Sequence, residues 1–181
     1  NQYYWRGSRR KLTAEEFRDT LLSIAGLLGS GERGGPSFRD FVVEKPEHSP
    51  HYQYHLADPN DPQTFRRTIY RFVVRSQPQP MLTALDCADP SISVPLRDES
   101  TTALQALTQW NDRLVDAMSI HFANRLRNEP QGEIVDTACW LALGRPPLEE
   151  ERRLLTQLVN EHGEEVLARV IFNMSATNYV E

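Results

Sequence analysis

The chain is poor in lysine: of its 20 basic residues only Lys11 and Lys45 are lysine, and the other eighteen are arginine. Basic runs are absent and the formal net charge is −5, which argues against nucleic-acid binding, whose footprint is a basic stripe or patch. No stretch approaches the ~18 consecutive apolar residues of a membrane span, so no membrane-spanning helix is expected. A signal-peptide pattern is also missing. Two cysteines, Cys87 and Cys139, are too few for a disulfide-built scaffold; they either pair or sit buried as small apolar side chains, and burial is the reading adopted. The Gly-rich stretch 30–36 (SGERGGP) lacks a following Lys-Ser/Thr pair and a strand-to-helix setting, which removes the phosphate-loop reading. No Ser–His–Asp or Cys–His arrangement stands in a recognisable nucleophile context.

What is present fits one domain. A chain of 181 residues is long enough to bury a core of its own, and its 12 prolines and 9 glycines point to long ordered connections beside helices. Charge is divided along the chain. Residues 1–75 carry 12 basic and 9 acidic side chains (+3), and residues 76–181 carry 8 and 16 (−8), an asymmetry able to steer the first part onto an acidic surface. The arginine excess is either compositional or a set of guanidinium forks for carboxylate or glycan recognition. The sequence begins at Asn1 rather than Met, and it is expected to be the C-terminal part of a larger parent protein.

Residues 1–12 mix Tyr3, Tyr4 and Trp5 with arginine and read as an arm whose aromatics pack onto the body. Residues 13–29 read as the first helix. Thr13 and Glu16 form a capping box, Phe17, Leu21, Ile24, Ala25 and Leu28 recur at helical spacing, and Gly29 ends the run. Residues 30–100 read as a long loop region with short extended segments around Phe41–Val43 and Tyr52–Leu56. Within it FRRTIYRFVVR (residues 65–75) is the best strand candidate, with Arg67, Ile69, Arg71 and Val73 on one face, and a helix is the alternative reading.

Residues 101–181 read as a helical bundle. Thr101 or Thr102 caps a helix containing Leu104 and Leu107, and Asn111-Asp112 interrupts it before Leu114, Val115, Met118, Phe122 and Leu126. A helix over 133–143 stops at Gly144. Glu149, Glu150 and Glu151 favour the first turn of the next helix through its dipole, with Leu154, Leu155, Leu158 and Val159 facing inward. A last helix covers about 164–174. Met118, Phe122, Trp140 and Met174 read as core. The fold class is mainly α, a helical bundle with long irregular loops and at most a short β-hairpin.

Two groups of residues carry chemistry. His48, His51 and His55 fall within eight residues near Asp58 and Asp61, a ligand set suited to zinc, copper or iron if the loop folds back on itself; the competing reading is ordinary loop histidines. Arg67, Tyr70, Arg75, Asp86, Asp89, Arg97, Asp98 and Asn111 are the candidates for a polar cleft. Its Arg and Asp side chains either tie loops to the body as buried forks, bind sugar hydroxyls, or act as paired acid–base carboxylates. Asn111 is a cap or a polar group turned into a pocket.

Five blocks, SRRKLTAEEFRD, RRTIYRF, LDCADPSISVPLRDESTTALQALTQWN, ALGRPPLEEE and IFNMSATNYVE, occur in order from about Trp5 to Glu181. Together they resemble the domain of unknown function 1553 (PSD domain family) found at the C-terminus of planctomycete-type cytochrome proteins. The resemblance implies a secreted or cell-envelope, extracytoplasmic protein in which another uncharacterised domain, and often a cytochrome c-like domain, precedes this one. The chain has no Cys-x-x-Cys-His run for haem attachment, so no cofactor is expected in it and any haem belongs elsewhere in the parent. The family supplies no catalytic residues to carry over. The reading is a non-catalytic α-rich interaction or scaffold module whose partners are the preceding domains of its parent. The alternatives are part of an extracytoplasmic, carbohydrate-directed oxidoreductase, or a glycan-binding module.

Overall fold

The computed structural model describes residues 3, 7–29, 33–44, 49–128 and 133–180; Tyr4, Trp5 and His48 lie outside them. Helix α1 (Ala14–Ile24) starts at the expected capping box. Thr13 Oγ1 accepts from the Glu16 amide at 3.2 Å, and the Glu16 carboxylate accepts from the Thr13 amide at 3.0 Å. Arg10 forks onto that carboxylate at 2.6 and 2.7 Å and holds it down at about 2. The helix ends at Ile24, short of the expected Gly29. Gly26 takes a left-handed φ of 78°, which suits a residue without Cβ, and Arg125 donates to the Ser23 and Ile24 carbonyls at 3.2 and 2.9 Å. The last turn is thus satisfied by a side chain from another helix.

The expected strand at residues 65–75 is replaced by tight turns. Thr64 ends one 3-10 turn (Pro62–Thr64), a second covers Thr68–Tyr70, and only an isolated bridge joins Phe38 to Arg71. The cause lies in α1. Arg18 donates to the Thr64 and Arg66 carbonyls at 2.7 and 3.0 Å, and Asp19 Oδ1 accepts from Thr68 N and Oγ1 at 2.7 and 2.6 Å. Backbone groups that a ladder would use are taken by helix side chains, and every backbone polar group buried here needs such a partner. The two-fold alternation fails accordingly: Arg71 is buried while Ile69 and Val73 are exposed.

Strands β1 (Arg10–Lys11) and β4 (Tyr179–Val180) pair antiparallel and join the two ends of the chain, and β2 (Val42–Glu44) pairs with β3 (His51–Gln53) as a hairpin. Helix α2 (Pro80–Ala84) inserts Met81 and Leu82 into the core. The bundle consists of α3 (Ala103–Asn111), α4 (Arg113–Asn128), α5 (Ile134–Leu143), α6 (Glu149–His162) and α7 (Glu164–Asn173), so the chain is mainly α. Val115, Met118, Phe122 and Leu126 recur at three and four residues along α4 and meet Leu167, Ala168, Ile171 and Phe172 of α7. Phe122 and Phe172 stack with centroids 5.5 Å apart. Fully burying each such side chain stabilises by roughly 1.5–3 kcal/mol.

The break at Asn111-Asp112 falls as expected, because Asp112 caps α4, accepting from Leu114 N at 2.8 Å. Gly144 ends α5 at φ 67°, and Glu151 accepts from Leu148 N at 2.8 Å to start α6. Two expected core positions face solvent. Trp140 is exposed because the buried stripe of α5 is Val135, Ala138 and Cys139, and Leu154 is exposed because α6 turns Leu155 inward. In the arm, Tyr3 is exposed. Cys139 is buried, Cys87 is partly buried, and neither forms a disulfide.

Candidate functional site

Helix α3 is packed with its polarity reversed. Gln105 and Gln109 point inward with 5% and 6% exposure, whereas Leu104, Leu107 and Trp110 face out with 65%, 58% and 42%. Positions 104, 107 and 110 follow one another at three-residue steps and share one side of the helix, while 105 and 109 share the opposite side. The 11 residues from Thr101 to Asn111 contain no charged side chain. A surface helix ordinarily shows the opposite pattern.

The reversal follows from what α3 must hold. Gln105 Oε1 accepts from Lys11 Nζ at 2.9 Å, and its Nε2 donates to Asp86 Oδ2 at 2.9 Å and Ser100 Oγ at 2.8 Å. Asp86 in turn accepts from Ser100 N and Oγ, both at 2.8 Å, and Lys11 also donates to the Ser100 carbonyl. Gln109 Nε2 donates to Asn178 Oδ1 at 2.9 Å, tying α3 to the chain's end. Burial alone would raise the Asp86 carboxyl; the Ser100 and Gln105 donors and the Lys11 charge outweigh it and hold it below its ordinary value. Asp86 sits at φ 66°, a conformation that Asp tolerates better than most residues.

This network closes the base of a strap, residues 87–99, by joining Asp86 to Ser100. Along the strap, which turns at 90–92 and bends again at 95–96, Ile92, Val94 and Leu96 are exposed. Trp110 is gripped from one side: Arg169 lies 5.1 Å over its ring, donates to its carbonyl at 2.6 Å and pairs with Asp116 at 3.2 Å. The outer side of α3 and the strap therefore present six large apolar side chains from two segments anchored by one polar network.

The eight polar-cleft candidates do not line a single cleft. Arg67 and Tyr70 border a wide cleft at the C-terminal end of α1, where Arg67 lies 3.8 Å from Asp19 and the Tyr70 hydroxyl accepts from Gly34 N at 3.1 Å. Asp89 and Arg97 border a second, of about 460 Å³, with Glu15, Arg71 and Cys87. There Arg97 pairs with Glu15 at 3.0 Å, and Asp89 caps its own loop by accepting from Ser91 N at 2.8 Å. Asn111 borders a third, of about 250 Å³, and donates to the Leu107 carbonyl at 3.0 Å; the cap is its neighbour Asp112. Asp86 belongs to the strap clamp, and Arg75 and Asp98 are exposed.

The third cleft has a charged wall, Arg18 and Asp40, that the sequence reading missed. Arg18, 3% exposed, lies 4.9 Å over the Phe38 ring, and Arg71 Nε donates to Asp40 Oδ2 at 2.8 Å. Asp40 Oδ1 and Arg71 Nη2 are buried and have no partner among the described residues. Asp112 borders the same cleft, and burial pushes its carboxyl up against the opposing pull of the Leu114 and Val115 amides. The signal for Arg18 was available: it lies between Phe17 and Leu21 on the apolar stripe of α1.

Of the three histidines, His51 and His55 are exposed on β3 and the turn after it, and His48 lies outside the described residues. Among the described residues no three His, Cys, Asp or Glu side chains gather as a metal-holding group. No helix among them is long and apolar enough to cross a membrane.

Residues 1–159 match a family, PSD1, described as a protein of unknown function (DUF1553). The matched stretch ends within α6, so α7, whose Phe172 stacks on Phe122, follows it. No curated protein and no solved structure matches the chain.

Proposed function

Because the chain belongs to the PSD1 family of proteins of unknown function (DUF1553), which assigns it no chemistry, we propose its role from its surface: a non-catalytic interaction module that docks a preceding domain of its parent protein. The observation that carries this is the reversed helix α3, with Leu104, Leu107 and Trp110 outside and Gln105 and Gln109 inside. Interface cores are depleted of charge and enriched in aromatic residues, and the face from Thr101 to Asn111 has a Trp and no charge.

The size of the face favours a tethered partner. Covering Leu104, Leu107 and Trp110 contributes on the order of 5 kcal/mol gross, at the low end of the roughly 4–15 kcal/mol that free association costs. A partner on the same polypeptide avoids most of that cost, since linkage raises its effective concentration to the millimolar range. A secreted, cytochrome-associated parent is the setting in which we place this module.

The test is titration calorimetry of residues 1–181 against the separately expressed preceding segment of the parent, with sedimentation of residues 1–181 alone. Saturable binding that disappears in Leu104→Glu/Leu107→Glu, with helicity and unfolding midpoint unchanged, supports the reading. Absence of binding, or binding that survives both substitutions, refutes it. Dimerisation of residues 1–181 abolished by the same substitutions would assign the face to a second copy and overturn the parent-domain reading.

A further inference from the structure

The cleft at the C-terminal end of α1 is lined by four arginines, Arg33, Arg66, Arg67 and Arg125, together with Tyr70, and no Asp or Glu lines it among the described residues. We propose that it binds a small ligand bearing two or more oxyanion groups, whether carboxylate, sulfate or phosphate. The four guanidiniums account for +4 of a chain whose formal net charge is −5, so all other residues together carry −9. Positive charge is thus concentrated in one concavity of about 1140 Å³ on an otherwise acidic molecule. Clefts lined by one sign of charge focus the field and raise the local concentration of the opposite ion.

Two of the four are fixed in place before any ligand arrives. Arg66 donates to the Pro36 carbonyl at 2.5 Å and to the Gly34 carbonyl, and its guanidinium lies 4.5 Å over the Tyr70 ring. Arg125 is held by the Ser23 and Ile24 carbonyls at the end of α1. Gly26 leaves room for it: a Cβ there would stand 3.3 Å from Arg125 Cδ. Such immobilised guanidiniums lose less side-chain entropy on binding, and arginine is the residue suited to bidentate oxyanion recognition.

Hydrogen bonds to backbone carbonyls hold Arg66 and Arg125, whereas Arg33 and Arg67 are the exposed members. Arg67 is offset by Asp19 at 3.8 Å, with its side chain 67% exposed. The carbonyl end of α1 offsets Arg125. These terms reduce the field without reversing it, because the cleft wall itself holds no carboxylate among the described residues. A long polyanion would also meet the acidic remainder of the surface, which favours a compact ligand.

The experiment is calorimetric titration of residues 1–181 at low salt with inorganic pyrophosphate, a disulfated disaccharide and the same disaccharide unsulfated, repeated with Arg33→Ser/Arg67→Ser and with the distant Arg153→Ser. Saturable binding of either anionic probe, weakened at least roughly tenfold by the double substitution and unaffected by Arg153→Ser, is expected. Salt should weaken it further. Pyrophosphate binding alone assigns a phosphate source; binding of the sulfated but not the unsulfated sugar assigns an acidic glycan. No saturable binding of either anion, equal binding by the double variant, or equal binding of the unsulfated sugar would overturn the proposal.

Discussion

Replacing Arg18 by methionine tests how the long loop region is held to the helical body. The guanidinium donates to Thr64 O at 2.7 Å, Arg66 O at 3.0 Å and Thr68 Oγ1 at 3.3 Å, and burial lowers its own pKa, with the charges of Asp40 and Asp19 opposing. A hydrogen bond to a charged group contributes roughly 1.5–3 kcal/mol, but three cannot be summed, because removing the charge also removes its desolvation penalty. What remains is the loss typical of breaking a buried charged network, about 3–5 kcal/mol. Methionine keeps the apolar reach of the side chain, so cavity formation adds little.

At roughly 2–4 °C per kcal/mol for a chain of this size, Arg18→Met should lower the unfolding midpoint by about 6–20 °C. Urea denaturation followed by circular dichroism gives the free energy directly. A double-mutant cycle with Thr68→Val isolates the Arg18–Thr68 contribution. A loss under about 1 kcal/mol with an unchanged denaturant slope would refute the argument that α1 side chains hold residues 64–68 in place of a strand ladder.

Acid sensitivity should come in part from two forks. Arg10 holds Glu16, and Arg145 holds Glu151, at about 2 against an ordinary 4.5. A carboxyl depressed by folding contributes stability above its unfolded value and loses it as pH falls through the folded one. Stability should therefore decline between about pH 4.5 and 2, and less steeply in Glu16→Gln and Glu151→Gln; parallel curves would exclude both forks as the source. Both thiols are pushed up to about 11, by burial and then by a nearby Glu, Glu15 for Cys87 and Glu151 for Cys139. Native protein at pH 7.5 should react slowly with a thiol reagent at both sites and rapidly once unfolded, and prompt native labelling of Cys87 would contradict this.

Most of the bundle was legible because its signals are local. The Thr13–Glu16 box, the break at Asn111-Asp112, Gly144 and the three glutamates opening α6 each act on neighbouring backbone, which needs no distant partner; the cap itself fell one residue past the expected Asn111, on Asp112. Residues 65–75 were misleading for the opposite reason. Their β-branched and aromatic content suits a strand, but the ladder's hydrogen bonds are claimed by Arg18 and Asp19, some fifty positions earlier. Leu104 and Leu107 mark a helix whichever side faces the body. Periodicity alone cannot show that Lys11, Asp86 and Ser100 fill the inner side and leave the leucines outside.

The polar-cleft residues divided because charged side chains here serve several jobs at once. Asp86 closes a strap, Arg97 ties that strap to α1 through Glu15, and Arg67 stands at the rim of the arginine cleft. The placement of the two proposed surfaces then has a consequence. Helix α4 begins beside Trp110, at Arg113, and reaches the arginine cleft at Arg125. Twelve residues of helix rise about 18 Å, so a domain seated on α3 leaves the cleft open unless it extends along the length of α4. The faces also differ in kind, one mainly apolar, the other cationic and partly fixed in advance. If both proposals hold, docking through Leu104 and Leu107 should leave the affinity for an anionic probe unchanged, measured in the assembled parent against residues 1–181 alone. A shift of more than about tenfold, equivalent to 1.4 kcal/mol of coupling, would mean that the docked domain reaches the cleft and completes it.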